Sequence, residues 1–190
     1  MTSPGVAWPR RAGVLELRTP TRELLEEVLV WRNRPEVVRW LLRTTVDPET
    51  FIRVWLEDVG EPDHHTAVAV LDGTVVGTGS LRVHDGIGQF DGDAWRRSEA
   101  ELGYLIAPAY AGKGYATAIA RTLLELAFDE LGLHRVTAGC FADNVASWRV
   151  MERLGMRREQ HGVRDSWHAE LGWVDGVTYA ILAEEWATAK

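Results

Sequence analysis

The order of apolar periods along this chain predicts a mixed α/β fold built around one sheet. Three observations carry that expectation. A short alternating segment near the start is followed by three helical patterns. A hairpin signature, Asp72-Gly73 between two apolar runs, then opens a block of strands. The strongest helical stripe, over residues 115–131, separates that block from a further strand, a helix and more strands.

Each element has a local reason. Residues 1–12 predict a loose terminal arm and 13–188 a single domain, since domains commonly hold ~100–200 residues. Val14-Leu15-Glu16-Leu17 alternates as a strand does. Thr19-Pro20-Thr21 supplies the hydroxyl cap and fixed φ that start a helix, and Leu24, Leu25, Val28, Leu29 and Trp31 follow at helical spacing. Pro35 opens a second short helix carrying Val37, Val38, Leu41 and Leu42. Asp47-Pro48 opens a third, with Phe51, Ile52, Trp55, Leu56 and Val59 on its stripe. Residues 67–71 and 74–83 form the hairpin strands. Residues 84–99 are rich in Gly and Asp and predict a long loop. A strand over 101–106 ends at Pro108. The long helix places Ala116, Ile119, Ala120, Leu123, Leu124 and Ala127 on one face and closes at Gly132. A strand is expected over 135–141. Asp143-Asn144 can cap the next helix, with Trp148, Met151 and Leu154 inward. Two short strands are expected between Met156 and Trp173, and a last one over 177–182.

Composition narrows the function. The chain has 190 residues, 46% hydrophobic and 26% charged, as ordinary globular proteins do. Lys+Arg number 21 against 28 Asp+Glu, a net charge of −7. That balance disfavours nucleic acid, which needs clustered positive charge, and suits a cationic or neutral substrate. Only Lys113 and Lys190 are lysines. The single cysteine, Cys140, excludes an internal disulfide and fits a reducing cytoplasm. No apolar leader and no stretch of ~20 apolar residues is present, so neither secretion nor a membrane span is expected. His64-His65 and the scattered acids lack ligand spacing, so no metal is predicted.

The segment Ala111-Gly112-Lys113-Gly114-Tyr115-Ala116 lies between a strand and the strongest helix. Glycines let backbone N–H groups approach an anion, and the helix start adds partial positive charge. The loop therefore predicts a phosphate or pyrophosphate site. Lys113 can add charge there or remain a solvated loop residue. A P-loop is excluded because Tyr115-Ala116 follows Gly114. A dinucleotide fingerprint is excluded because Thr117 stands where a third glycine belongs.

The run Glu101-Leu102-Gly103-Tyr104-Leu105-Ile106, then Pro108, then AGKGYATA and a long helix, resembles the acyl-CoA site of the GNAT N-acetyltransferases. The family signature is Q/R-x-x-G-x-G/A. Gly114 and Ala116 fill its last two fixed positions, and Ala111 replaces the Gln or Arg. The RimJ/RimL-type branch is similar in further places: Trp31-Arg32-Asn33-Arg34-Pro35-Glu36-Val37, the N-x-x-S of Asn144 to Ser147, Leu154-Gly155, and the ending Tyr179-Ala180-Ile181-Leu182 with Glu185-Trp186. The likeness runs from about Leu15 to Trp186.

The resemblance implies a GNAT-like fold: a mostly antiparallel sheet of about six to seven strands, helices on both faces, and a splay between strands that holds acyl-CoA. It implies acetyl-CoA as co-substrate. The pantetheine amides would pair with the backbone of Tyr104, Leu105 and Ile106, and the pyrophosphate would rest on Ala111, Gly112, Lys113, Gly114, Tyr115 and Ala116. Asn144 would bond the pantetheine or cap its own helix. Many members carry a Tyr acid seven residues after the Asn and a Glu base five before it; Met151 and Gly139 stand there instead. The branch then implies Ser147 as the acid or hydrogen-bond donor at the sulfur. Glu101 is the leading candidate base, with Asp165, His84, His161 and His168 as alternatives. The implied acceptor is an amine, either a protein N-terminus or a small cationic amine such as a polyamine or aminoglycoside. A non-catalytic acyl-CoA-binding module is the competing expectation. A homodimer is expected only because C2 dimers are common.

Overall fold

The structure, a computed structural model, describes residues 6–89 and 91–189. In chain order the elements are β1 (Arg10–Ala12), β2 (Leu15–Arg18), α1 (Arg22–Arg32), α2 (Pro35–Val38), α3 (Pro48–Asp58), β3 (His64–Leu71), β4 (Thr74–His84), β5 (Glu99–Ile106), α4 (Tyr115–Glu125), β6 (Arg135–Phe141), α5 (Val145–Arg153), β7 (Arg157–His168), β8 (Gly172–Leu182) and α6 (Ala183–Ala189). The strands form an eight-stranded sheet in the order β1-β2-β3-β4-β5-β6-β8-β7. Every neighbouring pair is antiparallel except β5 with β6.

The helix starts follow from their caps. Thr21 Oγ1 accepts from Leu24 N at 3.4 Å and Asp47 Oδ1 from Thr50 N at 2.9 Å. Helices α1 and α3 bury Leu25, Val28 and Ile52 against Val68, Val70 and Val75 on one face of the sheet. On the other face, Ile119, Leu123 and Leu124 of α4 and Met151 of α5 pack against Leu81, Leu102, Val136 and Tyr179. Helix α4 lies close to β4 because Gly77 and Gly79 face it. A Cβ on Gly79 would sit 2.6 Å from Ile119 Cγ2.

Four differences from the sequence expectations have physical causes. Arg10–Ala12, the end of the expected arm, pairs with β2 through the turn at Gly13-Val14, which raises the strand number to eight; residues 1–5 lie outside the described ones. Helix α2 stops at Val38, so Leu41 and Leu42 belong to the loop that follows. The long helix ends as α-helix at Glu125 and continues as a π-turn over Leu126–Glu130. The two short strands expected between Met156 and Trp173 begin as one bent strand, β7. Its register passes from Gly162↔Gly176 to Ser166↔Val174, so residues 163–165 bulge opposite Asp175 without ending the pairing.

Candidate active site

Strands β5 and β6 pair over only three residues each, Glu99↔Arg135, Ala100↔Val136 and Glu101↔Thr137. Beyond that point β5 stays with β4 as far as Ile106 and β6 stays with β8 as far as Phe141. The sheet therefore opens into a wedge. A cavity of about 940 Å³ fills it and is lined from both faces of the sheet. Tyr104, Leu105, Ile106, Asn144 and Ser147 all line it.

At one end of the cavity stand Ala111, Gly112, Gly114, Tyr115 and Ala116. Gly112 has φ +75° and Gly114 φ +81°, backbone that L side chains adopt at a cost. Gly114 is the N-cap of α4 and has no side chain to cap the helix. The first N–H groups of α4 are thus left for an anion, in the field of the helix start. This donor set fits a pyrophosphate. Lys113 is the one member of the loop that does not line the cavity. Its ammonium lies 5.0 Å from the centroid of the Tyr110 ring.

At the wedge, three side chains meet. Tyr104 donates its hydroxyl to the Ser147 carbonyl at 2.9 Å, and its oxygen is 3.1 Å from Ser147 Oγ. Burial pushes the Tyr104 phenol up to about 12, so it stays protonated at neutral pH. Burial raises the pKa of the Cys140 thiol, and the nearby Ser147 hydroxyl lowers it by less. Asn144 Oδ1 accepts from Ser147 N at 3.3 Å, which makes Asn144 the cap of α5 while it lines the cavity. The sequence reading used only the backbone of Tyr104 and gave Cys140 no place. Strand alternation puts Tyr104 on the α4 side, but its contact with Ser147, 43 residues away, is tertiary.

The opposite face carries the other candidates. Glu101, Gly103 and Leu105 alternate with Tyr104, and Leu105 packs on the α1–α3 side. Glu101 is exposed there, opposite Arg82 of β4, and lines the cavity. Asp165 lines the same cavity from the β7 bulge. His168 does not serve as a base. It is buried between Trp40 and Phe141, its Nε2 donates to the Arg39 carbonyl at 2.7 Å, and its Nδ1 accepts from Glu170 N and Leu171 N. His161 is held by Asp175 at 2.7 Å, and His84 bonds the Asp85 carbonyl; neither lines the cavity.

The segment Trp31-Arg32-Asn33 has a structural job beside the cavity. Trp31 is in the core. Arg32 donates to the carbonyls of Thr44 and Arg43 at 2.6 and 2.5 Å, and Asn33 bonds both backbone groups of Val46. These bonds fix the loop after α2, from which Trp40, Leu41 and Leu42 roof the cavity.

Comparison with known proteins agrees with this architecture. Residues 15–157 match the family described as the acetyltransferase (GNAT) domain. YnaD of Bacillus subtilis (strain 168), an uncharacterized N-acetyltransferase, is 43% identical over 86 residues, 45% of this chain and 50% of YnaD, so that match spans half of the relative. YdaF of the same organism, named "Putative ribosomal N-acetyltransferase", is 31% identical over 174 residues, 88% of this chain and 89% of its own. The crystal structure of a GNAT-family acetyltransferase from Bacillus anthracis superimposes with a TM-score of 0.76 at 28% identity, covering 93% of this chain and 99% of that one. A family match over most of the chain and a relative similar along nearly its whole length show that this chain belongs to the GNAT acetyltransferases.

Proposed function

We propose that this chain transfers an acetyl group from acetyl-CoA to the primary amine of a protein N-terminus. The observation that carries the reading is the wedge between β5 and β6, with a glycine loop and an uncapped helix start at one end and the Ser147 hydroxyl inside it. Acetyl-CoA supplies the activated thioester. The inner edge of β5 from Tyr104 to Ile106 offers unpaired backbone groups to the amides of its pantetheine arm. The N–H groups of Gly112 to Ala116 hold the pyrophosphate, and Lys113 adds charge beside them.

Attack by the neutral amine forms the C–N bond and breaks the C–S bond. Ser147 donates the hydrogen bond that steadies the departing sulfur, and Tyr104 fixes its position by bonding its carbonyl. Glu101, on the acceptor face, takes the proton the amine loses. Proximity within the wedge supplies much of the remaining rate. The name of YdaF supports a ribosomal-protein acceptor of the RimJ/RimL kind.

A small cationic amine is the second reading, favoured by Glu36, Glu101 and Asp165 along the cavity. The reading places the chain in the cytoplasm. The test is CoA release from acetyl-CoA with N-terminal peptides, polyamines and aminoglycosides as acceptors. Release with peptides alone supports the first reading. Release with small amines alone selects the second. Tight acetyl-CoA binding without release from any acceptor refutes both and favours a binding module.

A further inference from the structure

The α1–α3 face of the wedge carries a row of three glycines. Gly103 of β5, Gly139 of β6 and Gly176 of β8 lie on neighbouring strands, face the same side and all line the cavity. The face is fixed by their partners. Gly103 is two residues from Leu105, Gly139 is opposite Thr178, and Gly176 is opposite Phe141, which packs on Trp40. A Cβ on Gly139 would meet nothing closer than the Val177 carbonyl at 3.6 Å, so the floor there is open. Trp40 and Leu41 stand above it. The row floors a trench that runs from the wedge toward the edge strand, open at Gly139, with Ser80 over Gly103 and Ser166 and Asp165 over Gly176.

Asp165 stands where the trench ends, and the fold is shaped to put it there. Its Oδ1 accepts from Gly176 N and from Ser166 Oγ, both at 2.9 Å. The bulge of residues 163–165 turns its carboxylate inward, and the bulge is itself held by Asp175, whose Oδ1 accepts from Arg164 N at 2.9 Å. Both flanking glycines are cleared for it. A Cβ on Gly162 would lie 1.6 Å from Asp165 Oδ2, and one on Gly176 2.8 Å from Oδ1. Asp165 makes no ion pair among the described residues, whereas Asp175 beside it pairs with His161. Gly176 is one strand spacing from β6, so the carboxylate lies roughly 8 Å from that strand.

We propose that this trench is the acceptor channel and that Asp165 receives a second positive charge of the acceptor, on the far side of β6 from the wedge. The inference rests on the acetyl-transfer reading and narrows its substrate class to amines that carry a second cation. Basic N-terminal peptides and diamines share this chemistry.

The experiment follows kcat/KM for CoA release with two acceptor pairs. One is a pair of hexapeptides with free N-termini that differ only in Arg or Gln at the second position. The other is diaminohexane against hexylamine. The wild-type protein is expected to favour the cationic member of at least one pair by about two- to fivefold, the scale of one solvent-accessible charge pair. Asp165→Asn keeps the shape and the bond to Gly176 N, and should remove most of that preference through KM while acetyl-CoA affinity by calorimetry stays within twofold. Gly139→Val should lower kcat/KM for every acceptor. The pair that shows the preference identifies the source of the cation. Equal rates within both pairs, or a preference that survives Asp165→Asn, overturn the proposal and leave acetyl transfer standing. Loss of acetyl-CoA binding in Asp165→Asn also overturns it, because the residue then supports the fold. A wild-type protein that binds acetyl-CoA and acetylates no amine overturns both readings.

Discussion

Replacing Ser147 by Ala isolates the chemical role of one hydroxyl with little damage around it. The backbone bonds at this position survive the change: Ser147 N still donates to Asn144 Oδ1, and the carbonyl still accepts from Tyr104. The substitution removes the contact between Oγ and Tyr104 Oη at 3.1 Å. A net hydrogen bond is worth about 1 kcal/mol, and Ala regains about half of that as the better helix former. In a domain of this size the melting temperature should move by less than about 3 °C. Turnover should behave differently. A positioned proton donor contributes about 10²–10⁴-fold, and Tyr104 cannot replace it, since its own proton is committed to the carbonyl. The assay is steady-state CoA release with the best acceptor, alongside calorimetry with acetyl-CoA. The expected result is a fall in kcat of at least a hundredfold with cofactor affinity within threefold. A kcat within threefold of wild type would refute Ser147 as the donor. A parallel loss of cofactor binding would show that its role is positional.

Gly112→Val should weaken acetyl-CoA binding about 5- to 30-fold, because a side chain at φ +75° costs about 1–2 kcal/mol and stands over the N–H cradle; undiminished affinity by calorimetry contradicts the cradle. Cys140, its thiol pushed up by burial, should be alkylated by iodoacetamide more slowly than free cysteine, and acetyl-CoA should slow it further because the residue lines the cavity; mass spectrometry reads both effects, and no protection means the ligand lies elsewhere. His65 is buried with its Nε2 unpartnered among the described residues, and burial lowers its pKa from 6.5. The folded state keeps it neutral while the unfolded chain protonates near 6.5, so its contribution is full above that pH and is lost as pH falls toward the folded value. His65→Gln should therefore flatten the decline in melting temperature below pH 6.5, and identical slopes would refute the assignment.

The parts of this fold that were legible in the sequence are those set by local chemistry. Thr21, Asp47 and Asn144 cap helices where their side chains can reach the next turn, and Asp72-Gly73 turns a hairpin. The glycine loop before α4 was legible for the same reason. Strand β1 was not, since Arg10-Arg11-Ala12 has no alternation and gains its place only by pairing with β2. The single strand β7 was hidden because the bulge at residues 163–165 resets the period of two. The place of the Lys113 ammonium over the Tyr110 ring was not legible, because the direction of a side chain on a turn is a tertiary matter. The phenol of Tyr104 was missed because its partner comes from α5, and no spacing reports that contact.

The wedge that carries the proposed chemistry is a consequence of competition between strands. Strand β5 is committed to β4 along its whole length, and β6 is committed to β8 along its whole length. Their shared parallel pairing ends after Glu101 and Thr137. Past that point each strand follows its outer neighbour, so neither can turn back to satisfy the other. The inner edge of β5 then presents backbone donors and acceptors to a cavity instead of to a strand. Such groups are costly to bury unpaired. A ligand whose chain carries its own amides supplies what β6 would have supplied, and it does so without disturbing the two half-sheets. The enforced gap therefore selects an extended, amide-bearing molecule, and the uncapped start of α4 adds a demand for negative charge at one end. In the proposed reading acetyl-CoA meets both demands with one molecule, and the helix start and the strand edge have to lie together for it to do so.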